Sequence, residues 1–360
     1  MRRTTMITDI TIETTKHELK EPFITAVRSV SEIETLTVHI ETDEQIRGVG
    51  AASPTLKITG DSFESIQGAI LGPIKAAIIG KPLQSIELLL TLVRDSCVGN
   101  TSAKAAVDIA LYDLFSKKYD ISLYQYLGGY RNKITTDMTL SIGKEADMAR
   151  KATSLVNDGF QTLKVKIGGT FEDDLLRMRM LRQTVGEDIT LRIDANQNWD
   201  VKTAVRFIKA LEREQLNIEL IEQPVQAADF EGLAYVTQHV ETPIMADESL
   251  FSVKDALRLI QMQACDLFNI KLMKTGGIRE ALAIADIAET AGIPCMVGSM
   301  MESPISVSAA IHLACAHRNI LYADMDAPLW LKNIDQILAA SGIRYSGQHI
   351  NCLDKPGLGF

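Results

Sequence analysis

The sequence predicts an α/β protein, a barrel of parallel strands preceded by an α+β segment, and three observations carry that expectation. From Thr135 onward, eight short β-branched runs recur at roughly 25-residue intervals. The stretches between them have helical periodicity. The first ~125 residues follow another rhythm, strands by alternation and then helices.

In chain order, Ile7 to Lys20 and Ser31 to Glu41 read as strands of a hairpin by alternation and β-branched content. Gly48 to Asp61, polar and containing glycine and proline, reads as a long loop. Thr101 to Tyr119 reads as a helix, with Ala105, Ile109, Tyr112 and Leu114 on an apolar face and Asn100 or Thr101 as its cap. The eight runs are Thr135–Ile142, Leu163–Ile167, Thr190–Ala195, Ile218–Gln223, Pro243–Asp247, Leu267–Leu272, Pro294–Val297 and Asn319–Ala323. Asp173 to Val185 and Lys202 to Arg213 are two of the helical stretches between them. Eight β/α units in about 200 residues suit a barrel. A doubly wound open sheet is the alternative, and no G-x-G-x-x-G follows the first strand to support it.

Composition narrows the class. A chain of 360 residues suits one large α/β domain with a smaller companion. Apolar residues make up 46% and charged residues 23%, ordinary for a soluble globular protein. The net charge of −9, from 46 acidic and 37 basic residues, disfavours nucleic acid as a partner. The five cysteines, Cys97, Cys265, Cys295, Cys315 and Cys352, are scattered without a CxxC pair, as free thiols of a reducing compartment would be. Arg2 and Arg3 are not followed by the apolar region of a signal peptide. No run of ~18 apolar residues offers a membrane span. A cytoplasmic protein is the expectation.

Charged residues fall at the C-terminal ends of the runs, where a barrel keeps its chemistry. These are Lys164-Val165-Lys166, Asp194-Ala195-Asn196, Glu222-Gln223-Pro224, Asp247-Glu248-Ser249, Asn269-Ile270-Lys271 and Asp324-Met325-Asp326. Asp194, Glu222 and Asp247 lie one β/α unit apart, so their carboxylates converge on one arc of the mouth. Carboxylates held that close repel unless a cation sits among them. Oxygen ligands of this kind suit Mg²⁺. The second and sixth strands face each other in a ring of eight, so Lys166 and Lys271 approach a central substrate from opposite sides. Lys164 shares the inward side of its strand with Lys166. Crowding of ammonium groups and a metal is expected to lower a lysine pKa and supply a neutral base. Buried salt bridges with the acids are the plainer alternative.

The order Lys-x-Lys, Asp-x-Asn, Glu-Gln-Pro, Asp-Glu, Asn-Ile-Lys at strand ends resembles the muconate-lactonizing subgroup of the enolase superfamily. That resemblance implies a (β/α)7β TIM-like barrel with an N-terminal α+β capping domain. The capping domain would cover 1–125 and the barrel 126–329, with the tail 330–360 packing against the cap. It implies Lys166 and Lys271 as acid/base lysines, and Asp194, Glu222 and Asp247 as ligands of one Mg²⁺ per subunit that stabilises an enediolate. It also implies a homo-oligomer. Within the subgroup the chain is similar to the dipeptide epimerases typified by L-Ala-D/L-Glu epimerase. The matching stretches are Pro54-Thr55-Leu56, Ile58 to Asp61, Gly128 to Arg131, Asn269 to Gly277, Gly298 to Glu302 and Asp324 to Asp326. The resemblance then implies that Asp324 and Asp326 bind the ammonium of a dipeptide, and that Thr139, Lys164, Ser299 and Met300 contact substrate. Arg28 would face an acidic side chain.

The residues themselves suit the same substrate class. The eighth strand lies opposite the fourth, so a bound molecule needs a carboxylate at the metal end and a cation at the other. A free amino acid is too short, because its ammonium sits on the reacting carbon. Loops Ala26 to Ser31 and Ser53 to Asp61 would close the mouth and choose the side chain. A helix cap is the structural alternative for Asp324 and Asp326. The rival reactions are N-acylamino acid racemase, o-succinylbenzoate synthase and muconate-type cycloisomerase, which need no cation site on the eighth strand. A Schiff-base lysine aldolase and a non-catalytic binding barrel are more distant rivals.

Overall fold

In the computed structural model, which describes residues 4–25 and 29–360, the chain opens with an antiparallel sheet. β1 (Ile7–Ile24) pairs with β2 (Ser29–Thr42), which pairs with β3 (Arg47–Ala52). The third strand corrects the expected loop over Gly48 to Asp61, whose first five residues belong to β3. Its glycines read as loop signals but serve close packing. A Cβ on Gly48 or Gly50 would lie under 3.0 Å from the backbone of the helix Thr101–Lys118. Two glycines therefore let a strand lie directly on a helix.

The helix Thr101–Lys118 is buried on nearly every side, from Ser102 through Leu114. Asn100 precedes it in a left-handed conformation, but no side-chain cap bond forms there. Asp113, fully buried within it, accepts from Val49 N at 2.8 Å and Leu358 N at 2.7 Å and pairs with Lys117 at 2.7 Å. One carboxylate thus ties β3, this helix and the C-terminal segment together.

β4 (Lys133–Thr135) belongs to a small antiparallel sheet with β13 (Ile343–Ser346) and β14 (His349–Cys352). The run read as one strand over Thr135–Ile142 is therefore divided, and the barrel begins after it. Its strands are β5 (Met138–Leu140), β6 (Thr162–Lys166), β7 (Thr190–Asp194), β8 (Ile218–Glu222), β9 (Ile244–Ala246), β10 (Leu267–Ile270), β11 (Cys295–Gly298) and β12 (Ile320–Asp324). They lie in sequential order and pair in parallel. Asp137 N donates to Ala323 O at 3.3 Å and closes the last strand onto the first.

The outer helices bury the stripe their periodicity defines. Val201–Arg213 is capped by Asp200, which accepts from Thr203 N at 2.8 Å, and buries Ala204, Phe207, Ile208 and Leu211. Inside the barrel, strand alternation stacks two kinds of residue. Leu220, Met245, Leu267 and Met296 form an apolar plug with Tyr322 against it. Beside the plug, Arg192 lies 5.2 Å from the Tyr322 ring and pairs with Asp137 at 2.8 Å and Glu219 at 2.5 Å. Two residues further along five of these strands stand Glu222, Asp247, Asn269, Gly298 and Asp324. The five cysteines are free, and all but Cys97 are buried. Among the described residues, no helix is long and apolar enough to cross a membrane.

The contact between β3 and the helix yields a direct test. Gly50→Ala should lower stability by about 1–3 kcal/mol, because the added methyl meets helix backbone that cannot move aside. Thermal unfolding followed by circular dichroism should report a lower midpoint, and an unchanged midpoint would show that the strand can lift off.

Candidate active site

Strand register sets the site. Lys166 is the lateral partner of Asp194, and Asp194 that of Glu222, so three charged residues stand side by side on β6, β7 and β8. Lys271 follows β10, four steps round the ring from β6. Gly298 on β11 has no side chain because Asn269 and Lys271 take that volume; a Cβ there would come within 3.0 Å of both.

The charged groups are almost wholly buried and form one connected network. Lys164 Nζ lies 3.1 Å from Asp194 Oδ2, 2.7 Å from Glu222 Oε2 and 2.7 Å from Asp324 Oδ2. Lys166 Nζ contacts Asp194 Oδ2 at 2.5 Å. Lys271 Nζ contacts Asp247 Oδ2 at 2.6 Å and stands 3.8 Å from Glu222 Oε1. Asn269 Nδ2 donates to Glu222 Oε1 at 3.0 Å, and Asn196 Nδ2 to Glu248 Oε1 at 3.3 Å. The expected acids and lysines are thus brought together, with Lys164 between Asp194 and Glu222 and Lys271 between Glu222 and Asp247. Among the described residues, no three acidic, histidine or cysteine side chains close into a ready-made cage.

The electrostatics divide the acids. Burial alone would raise Asp194 and Asp247, but adjacent lysines outweigh it and hold both below the usual carboxylate range. Glu222 is pushed up to about 8 by burial and by the negative charge of Asp194. Glu248 rises to about 7 by burial and by Asp247. The expected lowering of lysine pKa invoked a metal, and the protein's own groups do not produce it at Lys271 or Lys164. Burial does act that way, yet Asp247 and Glu222 outweigh it at Lys271. Asp324, Glu222 and Asp194 outweigh it at Lys164, so both lysines sit above their ordinary value. In Lys274, burial prevails over Asp247 and the shift is downward.

The mouth above this layer is lined by Lys166, Asp247, Lys271, Thr139, Ser299, Met300, Asp324 and Asp326, with Phe23, Thr25 and Ile58 arriving from the N-terminal segment. Lys164 lies beneath it, 1% exposed. Asp326 precedes a 3-10 turn, Ala327–Trp330, but its side chain makes no cap bond to the backbone there. It accepts instead from Thr139 N at 2.8 Å and Trp330 Nε1 at 3.2 Å, and burial with the nearby Asp324 raises it to about 6. Arg28 lies outside the described residues; Glu32, a local acid that could have paired with it, contacts Lys16 at 3.1 Å. Sequence reasoning missed Lys274 and the Arg192–Asp137 pair. Spacing offered a signal for both: Lys274 stands one helical turn after Lys271, and Arg192 two residues before Asp194.

Comparison with known proteins places this geometry in context. Residues 7–128 match the mandelate racemase/muconate lactonizing enzyme N-terminal domain, and residues 147–360 match the enolase C-terminal domain-like family. An L-Ala-D/L-Glu epimerase from Clostridium acetobutylicum is 48% identical over 98% of both chains. The structure of a substrate-liganded L-Ala-D/L-Glu epimerase from Bacillus subtilis superposes with a TM-score of 0.95 at 44% identity, covering 98% of both chains. A dipeptide epimerase from Enterococcus faecalis, complexed with Mg and L-Leu-L-Tyr, gives 0.92 at 42% identity over 98% of this chain and 99% of that one.

The network makes Lys164 a hub for three acids. Lys164→Met should cost about 3–5 kcal/mol, because it leaves three buried carboxylates without their shared cation. Denaturant unfolding should show the loss, and a stability equal to wild type would mean that the other lysines can take over its contacts.

Proposed function

The chain belongs to the mandelate racemase/muconate lactonizing enzyme family of the enolase superfamily, and on that premise we propose that it is a Mg²⁺-dependent dipeptide epimerase. It inverts the α-carbon of the C-terminal residue of L-Ala-D/L-Glu or a related dipeptide. The observation that carries this reading is the pair Asp324 and Asp326 in the mouth, at and just past the end of a strand four steps from the one that bears Glu222. A bound molecule must present a cation there and a carboxylate opposite, with its acidic carbon between Lys166 and Lys271.

The donor set fits a magnesium ion. Asp194, Glu222 and Asp247 offer hard oxygens, and Glu222 Oε2 is buried with no hydrogen bond of good geometry. Glu222 and Glu248 are raised first by burial and then by the negative charge of the neighbouring Asp194 and Asp247, so a bound cation would be welcome among them. Magnesium bound at Asp194, Glu222 and Asp247 would neutralise that charge, weaken the hold of Asp247 on protonated Lys271 and take up charge building on the substrate carboxylate. The chain's own groups do the rest. One lysine removes the α-proton, and the ammonium of the other delivers a proton to the opposite face. Asp324 and Asp326 hold the N-terminal ammonium. Thr139 fixes Asp326 through its backbone N–H, and Lys164 fixes Asp324. Phe23, Ile58 and Met300 exclude water from the mouth, and Ser299 lines it beside them. An acidic substrate side chain would be the counterpart of Arg28.

Two outcomes follow. In D₂O with Mg²⁺, Lys166→Ala and Lys271→Ala should both stop epimerisation, while each still exchanges the α-proton of one epimer, read by mass spectrometry. Epimerisation at the wild-type rate in either variant would refute the two-base scheme. Asp324→Asn should lower kcat/KM for free dipeptides by about one to two decades, from loss of a charge-assisted contact of ~1.5–3 kcal/mol. N-acetyl dipeptides lack the cation and should lose little. Equal losses on both would turn the reading toward an N-acylamino acid substrate.

A further inference from the structure

We propose that Lys274 is a positioning residue for this reaction, pinning both Asp247 and the strand end that carries Lys271. The inference rests on the metal and two-lysine reading above.

Lys274 is completely buried, at 0% exposure. An ammonium has three N–H donors, and all three are used. Nζ donates to Asp247 Oδ1 at 2.5 Å, to Asn269 O at 3.0 Å and to the carbonyl oxygen of Asp247. Two of these partners are backbone carbonyls, which carry no net charge. A lysine that merely offset the charge of Asp247 would need the carboxylate alone. These bonds join chain to chain.

Their location explains what they hold. β9 and β10 pair at Leu267 with Met245 and at Phe268 with Ala246, and the ladder goes no further. Asp247 and Asn269 stand just past the last of those pairs. The Lys274 ammonium bridges them there, where backbone pairing has stopped. The short helical turn Leu272–Thr275 brings the residue back, with Lys274 N donating to Lys271 O at 2.9 Å. Asp247 meanwhile keeps Oδ1 on Lys274, so that Oδ2 is the oxygen turned to Lys271. One side chain thus sets the rotamer of a metal ligand and the distance from that ligand to one of the two bases. Lys166, on the far side of the ring, has no such dependence.

That asymmetry gives the test. Mg²⁺ affinity of Lys274→Met is measured by calorimetry, and α-proton exchange in D₂O is followed separately for the two epimers. Lys166→Ala identifies the epimer that Lys271 serves. The expected result is Mg²⁺ affinity weaker by about tenfold or more, with exchange at the Lys271 face falling further than exchange at the Lys166 face. Unchanged or tighter Mg²⁺ binding would reduce Lys274 to a counter-charge and overturn the proposal. So would equal losses at the two faces, the mark of general disruption. If Lys274→Met does not accumulate as folded protein, Lys274→Gln, which retains N–H donors, is put through the same two measurements. Wild-type protein that neither binds Mg²⁺ nor exchanges either epimer would sink the functional reading itself, and this inference with it.

Discussion

Burying many charges at one end of a barrel is the constraint on which this structure depends. A charge moved out of water costs several kcal/mol unless it is paired and hydrogen-bonded. Here the solution is a chain of contacts rather than isolated pairs. Lys164 joins Asp194, Glu222 and Asp324, while Lys271 spans Asp247 and Glu222. Such a network is poor evidence for stability, since an apolar interior would hold the barrel as well or better. Its persistence is better explained by chemistry that needs carboxylates and amines within reach of one another. The apolar plug of Leu220, Met245, Leu267 and Met296 lies one alternation step below and closes that end of the barrel.

The N-terminal segment is bound to this arrangement by buried carboxylates of its own. Asp108 accepts from Ile278 N at 2.6 Å, at the start of the helix that follows the Lys271–Thr275 turn. Asp113, five residues along the same helix, holds β3 and the C-terminal segment. Thr101–Lys118 therefore links the sheet whose strand brings Phe23 to the mouth with the segment that carries the lysines. A helix buried on nearly all sides is what that double duty requires, and it accounts for the alanines that fill it.

Much of this was legible because strands alternate and barrels put chemistry at strand ends. Asp194, Glu222 and Asp247 could be read from spacing, since three carboxylates one β/α unit apart converge and repel without a cation, whereas the part given to Asp324 came from the family resemblance. Gly48 to Ala52 was not legible, because a glycine in a strand and a glycine in a loop look alike until the opposing helix is known. The balance that the protein's own groups strike at each lysine was not legible for a related reason. Burial and neighbouring carboxylates push a lysine in opposite directions, and only distances decide between them. Lys271, where Asp247 and Glu222 outweigh burial, goes up; Lys274, which shares the Asp247 carboxylate, goes down because burial prevails, helped by the charge of Lys271.

The charge pattern of the mouth restricts what can bind even without a side-chain contact. One end presents Asp194, Glu222 and Asp247, which favour a cation that in turn favours a carboxylate. The other end presents Asp324 and Asp326. Asp324 is held ionised by Lys164, whereas Asp326 is raised to about 6 by burial beside it. An ammonium arriving between them would relieve that crowding and bring Asp326 back toward the ordinary carboxylate range, so the site favours a ligand that carries a positive charge there. A free amino acid cannot use both ends, because its ammonium and carboxylate flank a single carbon. A dipeptide separates them by one peptide unit and leaves the α-carbon of its second residue between the lysines. Under the proposed function, selection for a molecule of that length would rest on Asp324 and Asp326 standing across the ring from Glu222, with Lys164 between Asp324 and the acids of the other set.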